Sequence, residues 1–131
     1  MIPLDFGDEE EALIDLLNTK LTSLGDAARV SGEHPHGTKP AAWVRVVSDG
    51  GDARDAVTDS VLFQVDVYAQ SYSRARDLAG VVRKIISVVD DLDGHPVYRS
   101  RTITRPVNLH DPGVPDRKRY RAAYALDVRG L

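Results

Sequence analysis

Between Val61 and Val89 the apolar residues change period, from two to 3.6, and no single type of secondary structure satisfies both. Val61, Phe63, Val65, Val67 and Ala69 alternate with Gln64, Asp66 and Tyr68, which describes a strand with one buried face. From Ser73 onward, Ala75, Leu78, Ala79, Val82, Ile85, Ile86 and Val89 form a helical stripe that Val81, Val88 and Leu92 widen. A stripe that broad belongs to a helix lying on a sheet. A strand feeding such a helix excludes both a pure helix bundle and a pure β-sandwich.

The same two periods organise the rest of the chain. Acidic residues at Asp8 to Glu11 suit the positive end of a helix dipole, and Leu13, Leu16, Leu17, Leu21 and Leu24 continue as an amphipathic helix of about four turns, stopped by Gly25. Ala27 to Ser31 is a short apolar stretch compatible with a strand, and Glu33 to Pro40 reads as loop. Trp43 to Val47 is a strand, with Ser48-Asp49-Gly50-Gly51 as its turn and the polar stretch Asp52 to Thr58 prolonging the connection. Gly94 and Pro96 close the second helix. Val97 to Val107 alternates Thr, Val, Ile and Tyr with arginines, so neither side is plainly the buried one, and the strand is expected to be solvated or partnered.

After a loop over Pro106 to Asp116, Tyr120, Ala122, Tyr124, Leu126 and Val128 point inward, with Arg119, Arg121, Asp127 and Arg129 outward. The order is α-(β)-β-β-α-β-β. The fold expected is α+β, a mostly antiparallel sheet of four to five strands with two helices packed on one face, in one domain over residues 1–131.

Composition narrows function chiefly by exclusion. The chain lacks the roughly 20 apolar residues of a membrane span, and Met1 to Glu11 carries five acidic residues and no basic one, unlike a secretory signal. With no cysteine there is no disulfide framework, thiol nucleophile or thiolate metal site. The expectation is a cytosolic domain. Net charge −3 hides an asymmetry: residues 1–66 hold 13 acidic and 5 basic residues, residues 67–131 hold 7 and 12. Arg99, Arg101, Arg105, Arg117, Lys118, Arg119, Arg121 and Arg129 concentrate the positive charge, which fits nucleic acid, an acidic partner or self-association.

Motifs that carry chemistry are incomplete. Gly32-x4-Gly37-Thr38-Lys39 inverts the Lys-Thr order of a phosphate loop, and Pro40 leads to a strand instead of a helix. His34 and His36 with Glu33, or His110 with Asp111, are fewer ligands than a closed zinc site needs, and His95 suits a helix C-terminus. Placing Gly94 sixth in a calcium loop puts Val89 and Ser100 where carboxylates are required. No Gly-x-Ser-x-Gly turn accompanies the histidines, so the chain is read as a non-enzyme without cofactor or metal. Neither helix carries a basic stripe for nucleic acid.

Ala41-Ala42-Trp43-Val44-Arg45-Val46-Val47-Ser48-Asp49-Gly50-Gly51, then Phe63 to Ala69, then Ala75 to Arg83, resembles the tail terminator (tail completion) proteins of long-tailed bacteriophages. The closing segment, Pro115-Asp116 and Arg119 to Gly130, shares that likeness. The resemblance covers about residues 10–130 and implies a small α+β subunit that forms a ring, hexameric in the family, on the end of the tail tube. There it would stop tube polymerisation and present the surface for head attachment. Its implied partners are further copies of itself, the tail tube protein and the head-tail connector protein, with DNA in the lumen touched only weakly and non-specifically. The implied location is the head-proximal end of the virion tail, after assembly in the host cytoplasm.

Two sets of contact residues are expected. Acidic Asp8, Glu9, Glu10 and Asp15 of one subunit would meet Arg99, Arg101 and Arg105 of the next, Arg being suited to planar ion pairs. The loops Asp52 to Thr58 and Pro106 to Lys118, through Asp52, Arg54, Asp55, His110, Asp111, Arg117 and Lys118, would contact the tube or a neighbour. The alternatives are a head-completion or adaptor protein at the head-tail joint, and more distantly a non-viral protein-binding module or small enzyme.

Overall fold

The computed structural model describes residues 8–53 and 57–130. Two helices and six strands follow in the order α1 (Glu9–Ser23), β1 (Arg29–Ser31), β2 (Ala42–Ala53), β3 (Thr58–Ala69), α2 (Tyr72–Ser87), β4 (Asp91–Leu92), β5 (His95–Asn108) and β6 (Lys118–Arg129). The sheet runs β1-β2-β3-β6-β5-β4, so the two long strands β3 and β6 occupy its centre.

Both helices form where local chemistry starts and stops them. Asp8 caps α1 by accepting a hydrogen bond from the Glu11 amide at 3.0 Å, and Glu9, Glu10 and Glu11 occupy the first turn. Gly25, at φ 75°, ends it: its amide donates to the Thr22 carbonyl and the Asp26 amide to the Leu21 carbonyl, closing a Schellman turn. Ser71 caps α2 through the Arg74 amide. Leu13, Leu17 and Leu21 of α1 and Leu78, Val82 and Ile86 of α2 are fully buried against Val44, Val46, Phe63, Val65, Tyr124 and Leu126. Those partners lie on one face of the sheet, as the alternation predicts.

The sheet differs from expectation in strand number and direction. β1 lies parallel to β2, with Arg29 opposite Trp43 and Ser31 opposite Arg45. This mixed pairing arises because the chain leaves β1 and crosses before β2 begins, instead of reversing in a tight turn. β4 was concealed by the acidic run after α2. That helix ends at Ser87, and Asp93 and Gly94, both at positive φ, make a two-residue hairpin that pairs Leu92 with His95. Val88 is consequently exposed and Leu92 buried in a strand.

Gly50-Gly51 is a bulge and not the turn. β2 continues to Ala53, its register against β3 shifts between Ser48 and Gly51, and Asp52 pairs with Ser60. Thr58, read as loop, opens β3 opposite Arg129. At the other end β5 extends through Pro106 to Asn108, because register shifts at Val97/Arg99, Thr102/Thr104 and Thr104/Val107 absorb extra residues. The connection to β6 is thereby shortened to residues 109–117.

The glycine pair supplies a direct test of the bulge. A Cβ on Gly51, at φ 135°, would collide with the Ser60 carbonyl, whereas Gly50, at φ 85°, faces open space. Gly50→Ala should cost about 1 kcal/mol for its left-handed backbone alone. Gly51→Ala should cost at least about twice that, since backbone must shift, as measured by chemical denaturation.

Candidate interaction surface

With both helices on one side, the opposite face of the sheet carries the polar positions of the central strands, and three charged clusters neutralise it. The Arg121 guanidinium donates to both oxygens of Asp66 at 2.8 and 3.1 Å, and Asp66 is buried. This bidentate partner holds the Arg121 pKa above its ordinary value. Arg101 donates to Ser60 Oγ at 3.2 Å and lies 3.9 Å from the buried Asp127 carboxylate. Tyr68 donates its hydroxyl to Asp111 at 2.7 Å, with Arg119 3.6 Å from the same carboxylate oxygen. The Tyr68 bond holds the Asp111 carboxyl below the usual range, and burial, followed by that bond, pushes the Tyr68 phenol up.

Around Tyr68 two loops close over one end of the sheet. Trp43 and Tyr68 stack with ring centroids 4.9 Å apart, and His34 meets both edge-on. Arg117 lies 5.8 Å from the Trp43 ring centroid and donates to the Pro40 and Lys39 carbonyls, and Lys39 pairs with Asp116 at 2.8 Å. Arg119 donates to the Leu109 and His110 carbonyls. His34, Pro35, Lys39, Trp43, Asp111 and Val114 line a cleft of about 270 Å³ between the loops. His34, weighed from the sequence as an incomplete metal ligand in a loop, instead packs its ring against Trp43 and Tyr68.

These positions revise the expected contact residues. Asp8 is spent on the helix cap, and Glu10 accepts from the Ser48 amide at 3.0 Å, joining α1 to β2 beside the bulge. Glu9 is half-buried, and that burial raises its pKa. Asp15 is exposed. Arg99 and Arg105 are exposed, while Arg101 turns to Ser60 and Asp127 of its own chain. In the second set, Arg117 and Asp111 tie down their own loop, Lys118 sits 4.8 Å from the Tyr72 ring centroid, and His110 is exposed. Asp52 lies within β2, and Arg54 and Asp55 lie outside the described residues. Arg119 and Asp127, read as outward, are buried. Their face is covered by the charged side chains and loops crossing it.

What remains outward is β5. Only Asp91 and Leu92 of β4 pair with its outer edge, so from Val97 to Asn108 that edge has no strand neighbour among the described residues. Tyr98, Ile103, Val107 and the following Leu109 are 58%, 52%, 47% and 43% exposed. Among the described residues, no group of three or more His, Asp or Glu side chains is placed to hold a metal ion, and no helix is long and apolar enough to cross a membrane.

An α+β domain with a mixed six-stranded sheet, helices on one face and a basic, partly apolar edge strand is the class that these features define. A chain in the structure of the virion of a native gene transfer agent (GTA) particle has a similar fold, with a TM-score of 0.69 at 18% identity over 92% of this chain and 94% of that one. No family model matches the sequence, and no curated protein matches it.

The Tyr68–Asp111–Arg119 cluster makes acid stability testable. Asp111 and Asp26, the latter held low by its hydrogen bond from Arg74, have depressed folded pKa values. Their stabilisation is therefore present above the unfolded carboxylate pKa of about 3.9 and lost as pH falls through the folded values. Tyr68→Phe should cost about 1 kcal/mol at neutral pH and flatten the acid limb of stability below about pH 4, as read by thermal melts across pH.

Proposed function

We propose that this chain is a structural subunit of a virion tail, a tail terminator that assembles as a ring on the head-proximal end of the tail tube. The observation that carries the reading is the fold likeness to a virion chain, which spans nearly the whole of both molecules. The resemblance of Ala41 to Gly51, Phe63 to Ala69 and Arg119 to Gly130 to the terminator family supports the finer assignment. A structural role also agrees with the chemistry: the perturbed carboxylates Asp111 and Asp26 are explained by partners that hold loops and helices together.

The subunit presents unlike surfaces on its two sides. Acidic Asp15 lies on α1, and Arg99 and Arg105 lie on β5, whose outer edge is open among the described residues beyond Pro96. Unlike surfaces that complement each other make heterologous contacts, which close into rings when the rotation permits, and six subunits is the number the family resemblance implies. The ring would bind tube subunits on one side, and its other side would offer no further tube site and would receive the head-tail connector. DNA would pass through the lumen with weak, sequence-independent contact. The role requires neither cofactor nor catalysis, and it acts in the virion after assembly in the host cytoplasm.

Tails assembled in its absence should be overlong and variable in length by electron microscopy, and purified protein added to polymerising tube subunits should stop growth. Normal tail lengths would overturn the terminator reading. Normal tails that fail to join heads would instead favour the head-completion role.

A further inference from the structure

The C-terminal ends of α1 and α2 leave an apolar groove of about 520 Å³ between them, lined by Leu16, Leu24, Ile85 and Val88 and flanked by Asp90 and Asp91. Leu24 is 65% and Val88 76% exposed, although both are large and apolar. Two aspartates against the single Lys20, together with the negative ends of two helix dipoles, bias the groove toward a cation. Its complement is a segment that is apolar and cationic together.

Strand β5 has that character. Of the nine large apolar side chains exposed among the described residues, two line this groove and four lie at Tyr98, Ile103, Val107 and Leu109. Exposed Arg99 and Arg105 alternate with them. The strand is also poorly suited to pairing edge to edge with another sheet. It carries three register shifts against β6, and Pro106 has no amide to donate. These are devices that block strand addition, so what β5 offers a partner is side chains more than backbone.

We infer that the groove between the ends of α1 and α2 receives the end of β5 and the residue after it, Ile103 to Leu109, from a second copy of this chain. The inference rests on the ring reading and specifies its subunit contact. The segment cannot fill its own groove: Asp91 at the groove pairs with Pro96, and Ile103 and Val107 lie seven and eleven residues farther along the strand. At about 3.3 Å per residue that is roughly 20–35 Å, less a little for the bulges. Pairing of Thr102 with Tyr124, Thr104 with Ala123 and Val107 with Arg121 holds the strand out at that distance. The contact is therefore between molecules, and because groove and strand are different surfaces it is heterologous, leaving each copy one groove and one strand to continue the ring. Arg105 of one copy then approaches Asp90 and Asp91 of the next.

Two exposed substitutions test this, each disabling one side. Val88→Asp places a charge in the groove and Ile103→Asp places one on the strand; circular dichroism and melting temperature report that both variants remain folded. Native mass spectrometry and sedimentation should show a ring for the wild type and association weakened at least about tenfold for each variant. Mixing the variants in equal amounts should restore one interface, since the intact strand of Val88→Asp fits the intact groove of Ile103→Asp, and should give a 1:1 heterodimer that grows no further. A wild-type ring that persists in both variants, or a mixture in which no heterodimer forms, would overturn the groove contact and leave the ring standing. A wild-type protein that stays monomeric at all concentrations overturns the ring and the contact together.

Discussion

The twelve-residue pairing of β3 with β6, from Thr58 opposite Arg129 to Ala69 opposite Lys118, is the constraint on which the other features depend. It has no shift in register, so one parity of residues faces the helices along its whole length and the other parity faces away. Phe63 beside Tyr124 and Val65 beside Ala122 make the floor on which α1 and α2 bury their leucines and isoleucines. A slip of one residue would send Asp66, Arg121 and Asp127 into that floor, at the cost of unpaired buried charge. The irregularities that shape the domain, the glycine bulge in β2 and the three shifts in β5, all lie in the flanking strands.

The same parity explains the charge chemistry. On the helix-free face Asp66 faces Arg121 directly in the register, and Tyr68 faces Arg119. Side chains that an alternation rule sends to solvent are instead consumed by one another and by the loop over residues 109–117. The basic last third of the chain is accordingly less basic as a surface than as a sequence. Arg101, Arg117, Arg119 and Arg121 are occupied with Asp127, backbone carbonyls, Asp111 and Asp66. Arg99 and Arg105 remain on β5, beside its exposed apolar residues, and this pairing of properties gives the edge strand its character as a contact surface.

The helix starts, the stop of α1 and the alternation of β3 and β6 were legible because each is specified by neighbours in sequence. Leu13, Leu17 and Leu21 repeat at helical spacing, Asp8 and Gly25 mark the ends, and Val61 to Ala69 alternates. β1 was legible only as the short apolar stretch Ala27 to Ser31, without its parallel partner, and β4 was obscure because two residues carry too short a period to read and its existence depends on a partner elsewhere in the sheet. The glycines at 50 and 51 have the composition of a reversal, yet they serve as a bulge because β3 lies alongside and continues the ladder. The aromatic cluster of His34, Trp43 and Tyr68 joins residues from three separate segments, for which no local pattern exists.

By itself the sequence determined the α+β class, where each helix begins, the buried face of β3 and β6 and the absence of thiol chemistry, since all of these follow from periodicity and residue type. Tertiary structure decided the parallel edge pair, the burial of Arg119 and Asp127, the internal use of Glu10 and Arg101, and the exposure of Val88 and Ile103. The physical reason is common to all of them. Whether a charge is a contact residue or a fastener, and whether an apolar side chain is core or surface, depends on which distant segment arrives opposite it, and that is set by register and crossover, not by the residue's own neighbours.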